Sequence, residues 1–338
     1  MSKLLSIIVP VYNTQDYLSR CLDSLCIPEH LEQIEVIVVI DGSPDQSITI
    51  ANKYKEKYPE TFVVIDKENG GHGSAINVGI ELAQGKYVRI LDSDDWFDSK
   101  NLSIFIDRLQ CENADLIMTH MVKVYPNKQL RYEQPIKEHN RTYITEDVIL
   151  QINDCSFAMG RCTYKTKRLK EYGLKLLEKQ SYEDTFLHIF PLVFLKSFAC
   201  YDLVIYHYFL DRPDQSVHQQ ITMKHCTFWK NVIDQMCAFY LKYKDHFAPN
   251  ARLYILDTIR KISDNQYVTI NNLPYFEAKR EIAKYHKEIK SQPIYNEIKG
   301  YKGTYYKYTP YFIFRTSKLV YNWIYKLKRL QCSKSQLL

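Results

Sequence analysis

The sequence lacks the features that mark several common protein classes. Its nine cysteines include no C-x-x-C pair and no Cys/His cluster. An odd number without regular spacing argues against both a disulfide framework and a zinc site. Cys21, Cys26, Cys111, Cys155, Cys162 and Cys332 therefore read as reduced thiols of a cytosolic protein. The most apolar long stretch, residues 186–210, is broken by His188, Pro191, Lys196, Asp202 and His207. It reads as a buried helix followed by a strand, not as a membrane span. The first apolar segment stops at Pro10 and Asn13, too soon for a signal-peptide core and cleavage site. Internal repeats and low-complexity linkers are lacking too.

What is present suits a soluble protein of two domains. The 338 residues are 46% hydrophobic and 25% charged, enough to build a real core. Strand and helix signals alternate over the first hundred residues. Leu5 to Val11, Glu35 to Ile40, Phe62 to Ile65 and Tyr87 to Leu91 are short apolar runs rich in β-branched residues. Between them lie helical stretches, such as the stripe Tyr17, Leu18, Cys21, Leu22 and Leu25. Strands apolar on both faces and separated by helices predict a parallel sheet covered on both sides. Ligands of such sheets bind beyond the carboxyl ends of the strands. From about Ile221 the pattern is helical, which places a domain boundary there.

Four polar clusters fall at or just after those carboxyl ends: Tyr12-Asn13, Asp41-Gly42-Ser43, Asn69-Gly70-Gly71 and Asp92-Ser93-Asp94-Asp95. The last offers hard carboxylate ligands suited to Mg²⁺ or Mn²⁺, and through the ion to a diphosphate. Asp98 is expected only to cap the next helix. Trp96 presents a flat apolar surface suited to a sugar, or to ordinary packing. Asp41 is placed to accept a hydrogen bond from a base N–H. The run Asn69 to Ala75 is a glycine-rich loop opening a helix, which suits close backbone approach to phosphate or ribose. It departs from the dinucleotide fingerprint because Ile76 stands where a third glycine belongs. Asn77, one turn into that helix, can point back towards the loop.

Ser6-Ile7-Ile8-Val9-Pro10-Val11-Tyr12-Asn13, Asp41-Gly42-Ser43, Asn69-Gly70-Gly71, Ala75-Ile76-Asn77-Val78-Gly79 and Asp92-Ser93-Asp94-Asp95-Trp96 have the order and spacing of family 2 glycosyltransferases. The chain resembles that inverting family specifically over residues 4–98 and more loosely to about 220. The resemblance implies an α/β GT-A (nucleotide-diphospho-sugar transferase) fold: a Rossmann-like mixed sheet with a C-terminal, mainly helical extension. It implies a catalytic domain over 1–220, and the helical pattern beyond it makes 221–338 a second, helical domain. Pro10, Tyr12, Asn13 and Asp41 would hold the nucleotide base, while Asn69, Gly71 and Asn77 would shape the base and sugar pocket. Asp92, Ser93 and Asp94 would form the D-x-D element, with Asp94 the direct metal ligand and Asp92 its ribose or metal partner. Glu183-Asp184 resembles the second acidic motif, with Asp184 as catalytic base and Glu183 contacting acceptor or sugar. Arg212 and Ser216 resemble a late loop that closes on the diphosphate.

Inversion is a single in-line displacement, so a carboxylate must take the acceptor proton while a cation stabilises the leaving diphosphate. The alternative for Asp184 is an N-cap on a helix from Thr185 to Leu195. His207 and His218, both nearby, read as structural histidines sooner than as metal ligands. The Q-x-x-R-W motif of processive synthases is missing, which points to single additions. The expected activity is transfer of galactose, glucose or N-acetylglucosamine from a UDP-sugar to a hydroxyl of a polysaccharide, lipid-linked oligosaccharide or glycoprotein glycan. A sugar-phosphate nucleotidyltransferase is one alternative, although Tyr12-Asn13-Thr14 stands where its glycine-rich loop belongs. A non-catalytic module keeping the fold is another.

Residues 301–338 contain no Asp or Glu and interleave Lys and Arg with aromatics such as Tyr311, Phe312 and Trp323. That pattern suits peripheral membrane contact at the inner face of the cell membrane. A helix packed with its lysines outward competes with it. No recognised module supports nucleic-acid binding.

Overall fold

The structure, a computed structural model, describes residues 3–125, 128–132, 141–151, 159–189, 191, 194–210 and 223–298. They divide into two compact units split after residue 220, with residues 242–255 belonging to the first. No local signal in the sequence announces that return.

The first unit is built on a ten-stranded sheet. Strands β1 (Leu5–Val11), β2 (Ile34–Asp41), β3 (Phe62–Lys67) and β4 (Tyr87–Ile90) run parallel in the order β3-β2-β1-β4. Helices α1 (Gln15–Asp23), α2 (Ser47–Lys57) and α3 (His72–Leu82) connect them. Every residue of β1 and β2 is buried, as expected for central strands covered on both faces. Burying side chains such as Ile7, Val9, Val36 and Val38 stabilises the unit by about 1.5–3 kcal/mol each.

Beyond β4 the sheet departs from the parallel pattern that the apolar runs predict. The order continues through β9 (Cys162–Lys165), β6 (Leu116–Tyr125), β10 (Ser197–Phe209) and β5 (Trp96–Phe97). Strand β9 is antiparallel to β4 and β6, β10 is parallel to β6, and β5 is antiparallel to β10. Strands β7 (Lys128–Tyr132) and β8 (Arg141–Ile144) pair with β6 and β10. The sheet is therefore mixed, as the family resemblance implies. Strand β9 escapes sequence reading because four residues, Cys-Thr-Tyr-Lys, carry no clear period. Helix α4 (Ser99–Cys111) starts at the expected cap, with the Asp98 side chain accepting from the Asn101 N–H at 2.8 Å.

Short helices α5 (Thr145–Val148), α6 (Thr166–Glu171) and α7 (Asp184–Ile189) follow. Of the helix expected over Thr185 to Leu195, the described α7 covers residues up to Ile189.

The second unit is helical: most of α8 (Met223–Tyr243) and α9 (Pro249–Ile270), with α10 (Tyr275–Ser291) and α11 (Tyr295–Ile298). Within it the Gln266 amide donates to the Cys226 carbonyl at 2.7 Å and the Tyr240 hydroxyl to Glu297 at 3.0 Å. Among the described residues no helix is long and apolar enough to cross a membrane. Arg212, Ser216, His218 and the basic aromatic segment 301–338 lie outside the described residues.

Candidate active site

Hydrogen bonds stitch the four polar clusters together at the carboxyl edge of β1 to β4. The Asn13 N–H donates to Ser43 Oγ at 2.8 Å, and Thr14 Oγ1 donates to Ser93 Oγ at 2.9 Å. Asn13 reaches its partner in the left-handed region, at φ +53°. Ser43 donates in turn to Asp45, whose carboxylate also accepts from the Gln15 and Ser47 N–H groups. Pro10 is buried in β1, whereas Tyr12 is 52% exposed at the strand's end and offers a free ring.

Asp41 is buried and heavily engaged. Its Oδ1 accepts from Lys67 Nζ at 2.6 Å and the Gly70 N–H at 2.9 Å, and its Oδ2 accepts from the Gly71 N–H at 2.7 Å. Asn69 Nδ2 donates to the Asp41 carbonyl at 2.8 Å. The carboxylate thus shapes the glycine loop and keeps about one of its roughly four lone-pair positions for a ligand.

The glycine loop, in turn, seats a distant segment of the chain. Gly71 adopts φ +86°, and a Cβ there would lie 3.0 Å from the Lys179 nitrogen. At Gly73 a Cβ would lie 2.2 Å from the Leu177 carbonyl oxygen and 3.0 Å from Glu183 Cγ. The Lys179 N–H donates to the Gly70 carbonyl at 2.7 Å. Asn77, expected at the nucleotide pocket, points instead to this segment: it accepts from the Leu176 N–H at 2.8 Å and donates to the Leu176 carbonyl at 3.0 Å. Gly71 and Gly73 therefore leave room for a close chain crossing over the start of α3.

The acidic turn is tightly organised. The Asp95 N–H closes it on the Asp92 carbonyl at 3.0 Å, and Arg20 Nη2 donates to the Asp94 carbonyl at 2.8 Å. Asp95 is fully buried; its Oδ1 accepts from the Phe209 N–H at 2.7 Å, and its Oδ2 lies 2.5 Å from the Tyr206 hydroxyl. That hydroxyl also lies 3.1 Å from Asp92 Oδ2. Burial lifts the Asp95 pKa well above the usual range and the Asp92 and Asp94 charges add to the lift, against the lowering by the bonds from the Tyr206 hydroxyl and the Phe209 N–H. Strand β10 shifts register between Cys200 and Val204 and again before Tyr206, bulges of the kind that re-aim side chains near sites.

His72, the first residue of α3, is a site residue that sequence reasoning missed. Its Nε2 lies 3.0 Å from Asp92 Oδ1 and its Nδ1 2.8 Å from Glu183 Oε1. Burial works against a charged ring, but hydrogen bonds to Asp92 and Glu183 outweigh it and hold the pKa well above the ordinary histidine value. A charged imidazole donates from both nitrogens, as two carboxylate partners require. The signal was its place inside a glycine run that was read for backbone geometry alone. Tyr206 was hidden within a strand run, and Lys67 lies at the end of β3, just past the apolar run Phe62 to Ile65.

Glu183 is buried, while Asp184 is half-buried at the start of α7. Among the described residues the Asp184 carboxylate has no hydrogen-bond or ion-pair partner, so it does not act as the helix cap. Lys179 and Tyr182, just upstream, hold φ values of +54° and +71°. Trp96 packs: it stacks on His207 at 5.3 Å between centroids and carries the Arg20 guanidinium at 4.0 Å. His207 keeps a buried Nδ1 without a hydrogen-bond partner, and burial lowers its pKa.

Among the described residues no three His, Cys, Asp or Glu side chains converge as a preformed metal cage. Two partly accessible carboxylates, Asp92 and Asp94, fit the way Mg²⁺-type ions bind, through one or two carboxylates plus substrate phosphates.

Comparison with known proteins bears on this arrangement. Residues 6–169 match the family model described as glycosyl transferase family 2. The chain is 34% identical over 152 residues to the uncharacterized glycosyltransferase EpsJ of Bacillus subtilis (strain 168), covering 45% of this chain and 43% of that protein. It is 45% identical over 103 residues to the poly(ribitol-phosphate) beta-glucosyltransferase of Bacillus spizizenii, covering 29% of this chain and 16% of that protein. The chain thus spans less than half the length of these two relatives. Among solved structures, S. aureus TarS 1–349 in complex with UDP-GlcNAc matches with a TM-score of 0.66 and 19% identity, over 86% of this chain and 82% of that one. At that identity the likeness speaks for the fold alone.

Proposed function

We propose that the chain, whose residues 6–169 match the family model described as glycosyl transferase family 2, transfers a single hexose from a UDP-sugar to a hydroxyl of a glycan acceptor with inversion. The observation that carries this reading is the meeting of the two acidic motifs across His72, at the carboxyl edge of the parallel strands. Tyr12, Asn13, Asp41 and Asn69 line the side of β1 to β3 where the uracil and ribose would lie, with Pro10, Gly71 and Ser93 shaping the backbone around them. Asn77 acts through the 176–178 segment. UDP-GlcNAc, bound by S. aureus TarS, is one candidate donor; UDP-glucose and UDP-galactose are the others.

Asp94, with Asp92 beside it, would hold Mn²⁺ or Mg²⁺, which supplies Lewis-acid stabilisation to the departing diphosphate. Asp184 has the accessibility and the freedom from partners that a general base needs, and it takes the acceptor hydroxyl's proton as the anomeric C–O bond to the donor breaks. Buried Glu183 is better suited to hold the motif than to touch sugar. Trp96, packed between Arg20 and His207, has at most an edge for the acceptor. Arg212 and Ser216 remain part of the proposal as contacts to the diphosphate. The acceptor is a bacterial surface glycan, in keeping with relatives such as the poly(ribitol-phosphate) enzyme, and residues 301–338 bring the protein to the cytoplasmic face of the membrane that carries it.

The test is UDP release from a panel of UDP-sugars with Mn²⁺ and Mg²⁺, alongside calorimetric titration with UDP. Binding of UDP and release from at least one donor support the reading. Neither binding nor release, with any nucleotide-sugar, overturns it. A sugar-phosphate nucleotidyltransferase would release no UDP in this assay and would instead form pyrophosphate when given UTP and a sugar phosphate.

A further inference from the structure

We infer that His72 is a positioning residue that sets the base-bearing motif at a fixed distance from the donor turn. It rests on the reading of Asp184 as the base. Its two ring nitrogens, fixed on one rigid plane, reach one carboxylate from each motif: Asp92 at 3.0 Å and Glu183 at 2.8 Å. The two acids stand far apart in sequence and on different elements, one after β4 and the other at the root of α7.

The ring is itself held at both ends. Its main chain follows Gly71, whose N–H donates to Asp41 and whose neighbour Gly70 accepts from Lys179. Glu183 is pressed on the same helix, because Gly73 leaves only enough room for its Cγ. A buried carboxylate left without a partner is expensive, so Glu183 settles where the imidazole is. Asp184 follows directly in the chain, and the Glu183 carbonyl accepts the Phe186 N–H at 3.0 Å in the first turn of α7. Fixing the Glu183 carboxylate therefore fixes the main chain that presents Asp184. A shift of about 1 Å in a reacting group costs on the order of 10²-fold in rate.

This role separates from simple ion pairing in what it moves. A residue that only strengthened the fold would lower stability and leave kcat of the folded enzyme unchanged. One that shaped donor binding would appear in UDP affinity. The inference predicts a third pattern. His72→Ala lowers kcat for transfer about 10²-fold, with the Kd for UDP changed by less than about threefold. Glu183→Gln gives the same split. The double variant is no slower than the worse single one, because both remove one linkage.

The experiment is a double-mutant cycle of His72→Ala and Glu183→Gln, read in kcat, in UDP Kd by calorimetry and in urea unfolding midpoints. Non-additive kcat losses with UDP binding retained support the inference. Additive kcat losses, a loss confined to UDP affinity, or unchanged kcat overturn it. His72→Gln, which keeps one N–H donor, serves where the alanine variant does not fold, and the same outcomes apply. If the wild type neither binds UDP nor turns over any UDP-sugar, the enzymatic reading fails by itself. In that event the unfolding cycle decides the inference about the linkage: coupled midpoints support it, and additive midpoints overturn it.

Discussion

The two acidic motifs of the site are built in opposite ways. In the turn after β4 nearly every polar group is committed: Asp92 to His72 and Tyr206, Ser93 to Thr14, Asp95 to Tyr206 and Phe209, and the Asp94 carbonyl to Arg20. At the second motif Glu183 is committed and Asp184 is not, and the approach runs through two left-handed residues. The first arrangement suits a rigid receptor for charge, where preorganised groups need no rearrangement during reaction. The second suits a proton acceptor, which must stay available to an incoming hydroxyl.

The sharpest way to break that contrast is Asp184→Asn. It should lower kcat on the order of 10³-fold while the Kd for UDP stays within about threefold. Rates of UDP release and calorimetry check it, and loss of UDP binding would put Asp184 on the donor side. Asp94→Ala should do the reverse, weakening Mn²⁺-dependent UDP binding by about tenfold or more. Equal UDP affinity with and without Mn²⁺ in the wild type would remove the metal role.

A smaller effect concerns the crossing that joins the motifs. Gly73→Ala forces a methyl against the Leu177 carbonyl and Glu183 and should cost about 1–3 kcal/mol in urea unfolding. An unchanged midpoint would mean that the 176–183 segment is not seated on α3.

The smallest effect is at Asp95. Asparagine keeps the acceptor for the Phe209 N–H and turns its amide towards the Tyr206 hydroxyl, whose own proton can then go to Asp92, so Asp95→Asn should stay within about 1 kcal/mol of wild type, whereas Asp95→Ala should lose about 1–3 kcal/mol. The pH dependence has a definite sign. A carboxyl whose folded pKa is raised contributes its full stability below the unfolded value of about 3.9 and loses it as pH rises through the folded value. Asp95→Asn should therefore gain on the wild type as pH rises from about 5 to about 8. A constant difference would show that Asp95 is ionised throughout.

The same contrast governs what the sequence discloses. The meeting of the four polar clusters at one sheet edge was legible because each cluster follows its own apolar strand, and β-branched runs such as Glu35 to Ile40 mark themselves. The cap at Asp98 was legible for the same local reason. The seat of Glu183-Asp184 was not, because it depends on Gly73 meeting Leu177 about a hundred residues away, which no local period encodes. His72 was hidden in a run whose glycines drew the reading towards phosphate, and Asn77 turned to Leu176 through contacts equally remote. Antiparallel β9 was lost to its brevity.

Initial rates of UDP release from UDP-glucose, UDP-galactose and UDP-GlcNAc, measured with Mn²⁺ for the wild type and Asp184→Asn side by side, test the central claim most directly. The account predicts turnover of at least one donor by the wild type, and its near-complete loss in a variant that still binds UDP. Undiminished turnover in Asp184→Asn, or no turnover and no UDP binding by the wild type, would contradict it.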